Sequence, residues 1–168
     1  RETEGNAFFI VEVLHTLADE AGSLGDIGRA TLPRSVFAGG IQQVVQRRLN
    51  SLPNEVYAAL TRAAIMGREL DAKLLDWIIP AAKRDAWFQM CSAAAILEVR
   101  DNQWRFSHDK LREGVLNLIA ADEQIALHRA AALHIEQVFP NDEAQAERLI
   151  EHWRGAQHPA KELDYLLI

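Results

Sequence analysis

Apolar residues recur along most of the chain at intervals of three and four positions, the spacing typical of amphipathic helices. Glycine or proline follows several of these stretches, as at Gly22, Gly67 and Pro80, and both residue types commonly end a helix. This pattern predicts a mainly α fold. The predicted helices cover residues 6–21, 36–49, 53–66, 71–79, 82–95, 108–119, 122–139, 143–156 and a last stretch from 159 onward.

One part of the chain departs from this helical spacing. Residues 96–100 and 103–107 alternate apolar and polar side chains, as half-buried strands do, and Asp101 and Asn102 between them form a two-residue hairpin turn. Three helices followed by a hairpin is the layout of a winged-helix module. The boundaries that follow are a helical segment over residues 1–52, a winged-helix domain over 53–121 and the start of a helical-repeat region over 122–168.

The last region is predicted to consist of antiparallel helix pairs, similar to the opening of a TPR-like solenoid. Its two longest helices each carry an apolar stripe, and the two stripes are predicted to face each other. The first stripe comprises Ile125, Ala132, Ile135 and Phe139, and the second comprises Ala146, Leu149, Ile150 and Trp153.

Composition places the chain among globular intracellular proteins. Hydrophobic residues make up 49% and charged residues 25% of the sequence, and no apolar run approaches the roughly 18 residues needed to span a bilayer. The N-terminus lacks the layout of a secretory signal. The chain begins without Met and stops inside an apolar helical pattern, which indicates a fragment of a larger, cytoplasmic protein.

The formal charge of −6 is unevenly distributed. Residues 1–121 contain 14 basic and 15 acidic residues, whereas residues 122–168 contain 4 basic and 9 acidic residues. Nucleic-acid binding requires a basic stripe, and the predicted DNA-reading helix over 82–95 offers only Lys83 and Arg84 beside Asp85. This pattern disfavours a nucleic-acid partner. The acidic C-terminal part indicates either a contribution to solubility or a protein partner.

Few residues carry recognisable chemistry. Cys91 is the single cysteine and its apolar neighbours predict a buried, inert thiol. Six histidines are present, but none forms a His-Glu-x-x-His motif, so no metal site is predicted. His128 lies in an apolar stripe, where a structural role is expected. The sequence contains no phosphate-binding G-x-x-x-x-G-K-[ST] loop and no nucleophile motif. No catalytic residue is therefore predicted, and the chain is not expected to be an enzyme by itself.

The junction between the second strand and the next helix is the strongest candidate site. His108 stands there, at a helix N-terminus, where backbone N–H groups and the helix dipole favour an anion. An imidazole at this point can donate a hydrogen bond to a phosphate oxygen. In the competing interpretation, Ser107 and Asp109 cap the helix and His108 faces solvent or bonds to backbone. Residue chemistry alone leaves both interpretations open.

Several segments, taken in order, resemble the signal-transduction ATPases with numerous domains. Residues 4–14, EGNAFFIVEVL, are similar to the family's "Gly-Asn-Pro-Phe-Phe" segment. Residues 44–53, 63–70 and 104–115 are similar to later landmarks, and residues 127–129 and 152–156 are similar to parts of the helical repeats. The resemblance covers nearly the whole chain. It implies a helical lid over residues 1–52, followed by the winged helix and the repeats, with the P-loop domain preceding them.

The resemblance also implies a nucleotide site shared with that P-loop domain. Gly5, Asn6 and Ala7 would lie against the adenine or sugar of ADP or ATP, although the family has proline where this chain has Ala7. His108 and Asp109 are similar to the Met-His-Asp motif of related immune-receptor ATPases, whose histidine contacts the β-phosphate of ADP. His108 would then sense the nucleotide state and Asp109 would orient the helix start. The implied partners are the P-loop domain, further repeats, and a protein partner or inducer, without a membrane.

Overall fold

The computed structural model describes residues 40–167, with side chains described from Val45 onward. The chain divides into two compact units, residues 1–50 and residues 51–168. Within the described part the fold is mainly α with a small antiparallel hairpin, which confirms the predicted fold class. The predicted helix over 6–21 lies outside the described residues, as do the first four positions of the one over 36–49, whose remainder is helical.

The first unit contributes one described helix, and the other elements belong to the second unit. Short 3-10 turns precede three of the helices, over Ala72–Leu74, Ala81–Lys83 and Glu143–Gln145. The regular elements are α1 (Gly40–Asn50), α2 (Asn54–Met66), α3 (Leu75–Ile78), α4 (Arg84–Ala93), β1 (Leu97–Arg100), β2 (Gln103–Phe106), α5 (Asp109–Asn117), α6 (Ala121–Val138), α7 (Ala146–Gly155) and α8 (Pro159–Leu166).

Helix α2 is the central element of the second unit. It begins after Pro53 and ends at Gly67, whose φ of 134° few other residues adopt without strain. Contacts with α4, α5 and α6 surround it, and the Trp87 indole Nε1 donates to the Val56 carbonyl at 3.0 Å. One face of α2 is fully apolar and buried, comprising Val56, Leu60, Ala63 and Ala64.

The hairpin confirms the prediction of a two-residue turn. Leu97 pairs with Phe106 and Arg100 with Gln103, while Asp101 and Asn102 have φ values of 51° and 61°, as a tight β-hairpin requires. A third strand-like segment, residues 68–70, lies along the other edge of β2. It is fixed there by hydrogen bonds from Leu70 N to the Trp104 carbonyl (2.8 Å) and from Phe106 N to the Arg68 carbonyl (2.9 Å). Helix, edge segment, two helices and hairpin follow each other as in a winged-helix module.

The predicted stripes of the C-terminal helices meet where α6 packs against α7. Ala132, Ile135, Leu149 and Trp153 are buried, and the other stripe residues are half-buried. Helix α8 packs in turn on α7. Helix α6 also contacts α2 and the turn Ala72–Leu74, so the hairpin-bearing part and the later helices share one compact unit.

Candidate functional site

His108 lies where β2 passes into α5. Phe106, the last residue of β2, is fully buried and fixes the end of the strand. His108 has extended backbone angles (φ −149°, ψ 145°) and its ring Nδ1 accepts a hydrogen bond from Lys110 N at 3.1 Å, so the histidine itself caps the helix. The competing interpretation is wrong about Ser107, whose hydroxyl donates to the Ala95 carbonyl at 2.8 Å instead of capping the helix. The bond to backbone that it allowed for His108 is confirmed.

The capping bond determines which ring nitrogen of His108 carries the proton. Because Nδ1 is the acceptor, the neutral ring is assigned the tautomer with hydrogen on Nε2. The half-buried ring therefore makes this capping bond with its hydrogen on Nε2.

Two side chains of α5 connect the helix start to α2 and to the edge segment 68–70. Asp109 accepts from Arg68 Nη1 at 3.0 Å, which joins the helix to the edge segment 68–70. Arg112 Nε donates to the Ala64 carbonyl at 2.8 Å in the last turn of α2, where a cation is favourable. The ion pair of Asp109 with Arg68 connects the beginning of α5 to the edge segment. The other candidates, Gly5, Asn6 and Ala7, lie outside the described residues.

A second histidine site lies between α6 and α7 and was missed by sequence reasoning. His128 Nδ1 and His152 Nδ1 are 3.1 Å apart, so one ring donates to the other. His152 is only 1% exposed. One feature of the sequence pointed to this pair: His128 and His152 lie on two helices whose apolar stripes were predicted to face each other. The structural role predicted for His128 is confirmed by this bond. His134, on the same helix, stacks on Trp77 instead, with ring centroids 6.4 Å apart.

Burial and nearby cations keep this histidine pair neutral. Burial, together with the nearby His128, Arg148 and Arg112, lowers the pKa of His152 to about 3. The pKa of His128 is also lowered by burial, with the Glu151 carboxylate opposing that effect and Arg112 adding to it. Both rings are therefore uncharged near neutral pH. The site is suited to holding two helices together rather than to proton transfer.

Gly155 makes the close approach of the two helices possible. A Cβ atom built on this residue would lie 2.6 Å from Cγ of His128, far inside van der Waals contact. The histidine ring therefore occupies the space that any other residue at position 155 would fill. The contact between the His128 ring and Gly155 therefore sets how closely α6 and α7 pack beside the histidine pair.

Other groups in the described part offer less chemistry. Cys91 is fully buried, as predicted, and burial raises the pKa of its thiol to about 12. Within residues 40–167 no group of three or more His, Cys, Asp or Glu side chains is arranged to hold a metal ion. Nor does any helix of that stretch combine the length and apolarity needed to cross a bilayer.

Comparison with known proteins gives no further indication of function. The chain matches no family model, no curated protein and no solved structure.

Proposed function

We propose that this chain is a regulatory region of a larger multidomain signalling ATPase, in which His108 responds to the nucleotide state of a neighbouring P-loop domain. The chain performs no catalysis by itself in this proposal. ADP or ATP binds only together with the P-loop domain, in the cytoplasm, and the change in state is passed to an output domain. The supporting sequence feature is the ordered resemblance to signal-transduction ATPases, and the supporting structural feature is the capped position of His108.

The geometry of His108 carries the proposal. The ring sits at a helix N-terminus, and the hydrogen bond that Nδ1 accepts from Lys110 N assigns the ring hydrogen to Nε2. A phosphate oxygen approaching this point would meet both an N–H donor and the positive end of the α5 dipole. A contact made to ADP and not to ATP would give the two states different energies, which is the requirement for a ligand to shift an equilibrium.

The expected size of this effect is useful for regulation. A hydrogen bond to a charged group contributes about 1.5–3 kcal/mol, which corresponds to roughly ten- to a hundredfold in population. The test is the dissociation rate of a fluorescent ADP analogue from the parent protein. His108→Ala should accelerate ADP release by about that factor and leave ATP release within about twofold.

Two further variants separate sensing from helix capping. His108→Asn keeps a side-chain acceptor for Lys110 N and removes the ring, so it should release ADP as fast as His108→Ala without the loss of the cap. His158→Ala is the matched control, because His158 Nδ1 caps α8 by accepting from Lys161 N at 3.3 Å. Unchanged ADP release in His108→Asn, or equal acceleration by His158→Ala, would refute the sensor role.

A protein-interaction scaffold is the second candidate. It is favoured by three exposed leucines close together at the end of the described residues, Leu163 (53% exposed), Leu166 (55%) and Leu167 (79%). A scaffold requires nothing of His108, so normal ADP release in the variants above would leave it as the remaining function.

The alternative of a DNA-binding winged helix is disfavoured by the charges on the helix that would enter the groove. Lys83, in the turn before α4, lies 3.6 Å from the Glu55 carboxylate, and Arg84 at its first position lies 2.8 Å from Asp76. Both cations are thus compensated by carboxylates of the same chain. A salt-sensitive mobility shift with duplex DNA would reverse this conclusion.

A further inference from the structure

A groove of about 560 Å³ opens between the turn that follows α6 and the last helix, α8. One side of the groove is apolar, formed by Phe139, Pro140, Leu149 and the ring of Tyr165. Leu149 is buried and the two aromatic residues are half-buried, so this apolar wall is held in place by the helix pair behind it.

The wall is supported by a hydrogen-bond network centred on Glu136. Its Oε1 accepts from the Tyr165 hydroxyl (2.7 Å), Trp153 Nε1 (3.2 Å) and Lys161 Nζ (3.2 Å). Burial and the Glu136 carboxylate raise the pKa of Tyr165 to about 12, which keeps the phenol protonated as a donor. The Lys161 charge is directed inward, because Nζ also lies 5.5 Å from the centre of the Trp153 ring.

The rim of the groove is acidic. Asp142, Glu143 and Asp164 line it, and none of these carboxylates forms an ion pair with a Lys or Arg among residues 45–167. Two cations approach the groove: Lys161, which is paired with Glu136, and Lys73, whose Nζ lies 5.2 Å from the centre of the Phe139 ring. Carboxylates therefore remain in excess beside an apolar wall.

We propose that this groove binds a basic peptide segment of a protein partner, one in which Lys or Arg flanks an aromatic or leucine side chain. The apolar anchor would pack against Phe139, Leu149 and Tyr165. The flanking cations would lie near Asp142, Glu143 and Asp164. Apolar anchors combined with complementary charge are the usual basis of such recognition. The groove is separate from His108, and the proposal does not depend on nucleotide sensing.

A phage-displayed library of random twelve-residue peptides, panned against the 168-residue chain, tests the proposal without prejudging the partner. Enriched peptides should place Lys or Arg within two positions of an aromatic residue or leucine. Their affinities are then measured by fluorescence polarisation at two salt concentrations. Binding should weaken at the higher salt, because exposed charge pairs are screened.

Matched double variants locate the binding site. Glu143→Gln with Asp164→Asn removes two rim carboxylates and should weaken binding by about three- to tenfold. Asp122→Asn with Glu147→Gln removes two exposed carboxylates that do not line the groove, so affinity should stay within about twofold. Three results would overturn the proposal: no enriched peptide, enrichment without basic residues, or equal weakening in both double variants.

Discussion

His108 and the His128–His152 pair are two histidine sites in one compact unit, and they differ in what surrounds the rings. At His108 the ring accepts from a backbone N–H at a helix start and remains half-buried. Between α6 and α7 the two rings bond to each other, and His152 is 1% exposed. The first arrangement leaves an imidazole where an anion could meet it, whereas the second removes both imidazoles from chemistry.

The difference shows that helix ends and helix faces use histidine in opposite ways. At a helix end the ring satisfies a backbone donor that would otherwise have no partner in the helix. On a packed face the ring fills space, and each nitrogen must find a partner inside the protein. Burial should therefore decide how strongly each histidine contributes to stability.

The largest expected effect is that of His152→Ala on the free energy of unfolding. Removing this buried ring leaves a cavity and deprives His128 Nδ1 of its partner, so we expect a loss of about 2–4 kcal/mol. His108→Ala, which removes only a helix cap, should cost about 1 kcal/mol. Urea denaturation followed by circular dichroism measures both. Equal losses for the two variants would contradict the distinction between the sites.

Gly155→Ala should have the next largest effect. The new methyl group would collide with the His128 ring, and such overpacking costs about 1–3 kcal/mol, more than the helix gains from alanine. The new methyl group collides with the His128 ring alone. The double variant Gly155→Ala, His128→Ala should therefore lose less unfolding free energy than the sum of the losses in the two single variants. Thermal denaturation of the wild type, the two single variants and the double variant measures this coupling. If the two losses of stability simply add, the His128 ring is able to move away from the new methyl group.

The effect that is smallest per step of the experiment is a pH dependence specific to the buried pair. Since the folded pKa of His152 is about 3 and its ordinary value is 6.5, the unfolded chain takes up the proton first as the pH falls. Stability should therefore be full above pH 6.5 and decline below it, by about 1 kcal/mol per pH unit from His152. His128, whose pKa is also lowered, should add to this decline.

His152→Gln is the control for the pH measurement, because a neutral amide can bond to His128 without titrating. Acid also protonates carboxylates in both proteins, so the informative quantity is the difference in unfolding free energy between them. That difference should shrink between pH 6.5 and pH 4.5. A difference that stays constant over this range would mean that the folded pair accepts protons as readily as the unfolded chain.

Local signals in the sequence predicted much of this fold. Asp101 and Asn102 favour a tight turn through their own backbone preferences, and the observed hairpin has that turn. Gly67 stops α2 where a positive φ is needed. The apolar stripes of α6 and α7 predicted their contact because burial of a stripe requires an opposing surface.

Features that depend on tertiary placement could not be predicted in the same way. Residues 68–70 are too few to show strand alternation, and only the neighbouring β2 makes them a sheet edge. Ser107 was expected to cap α5, but the Ala95 carbonyl lies within reach of its hydroxyl and the cap moves to His108. The His128–His152 bond depends on how far α6 and α7 are shifted along each other. The spacing of residues within either helix does not determine that shift.

The attachment of α5 at three points has a mechanical consequence. Ser107, Asp109 and Arg112 bind the Ala95 carbonyl, the Arg68 guanidinium and the Ala64 carbonyl, which belong to three different parts of the unit. We therefore expect the start of α5 to keep its position relative to α2 and to the edge segment unless one of these three bonds breaks.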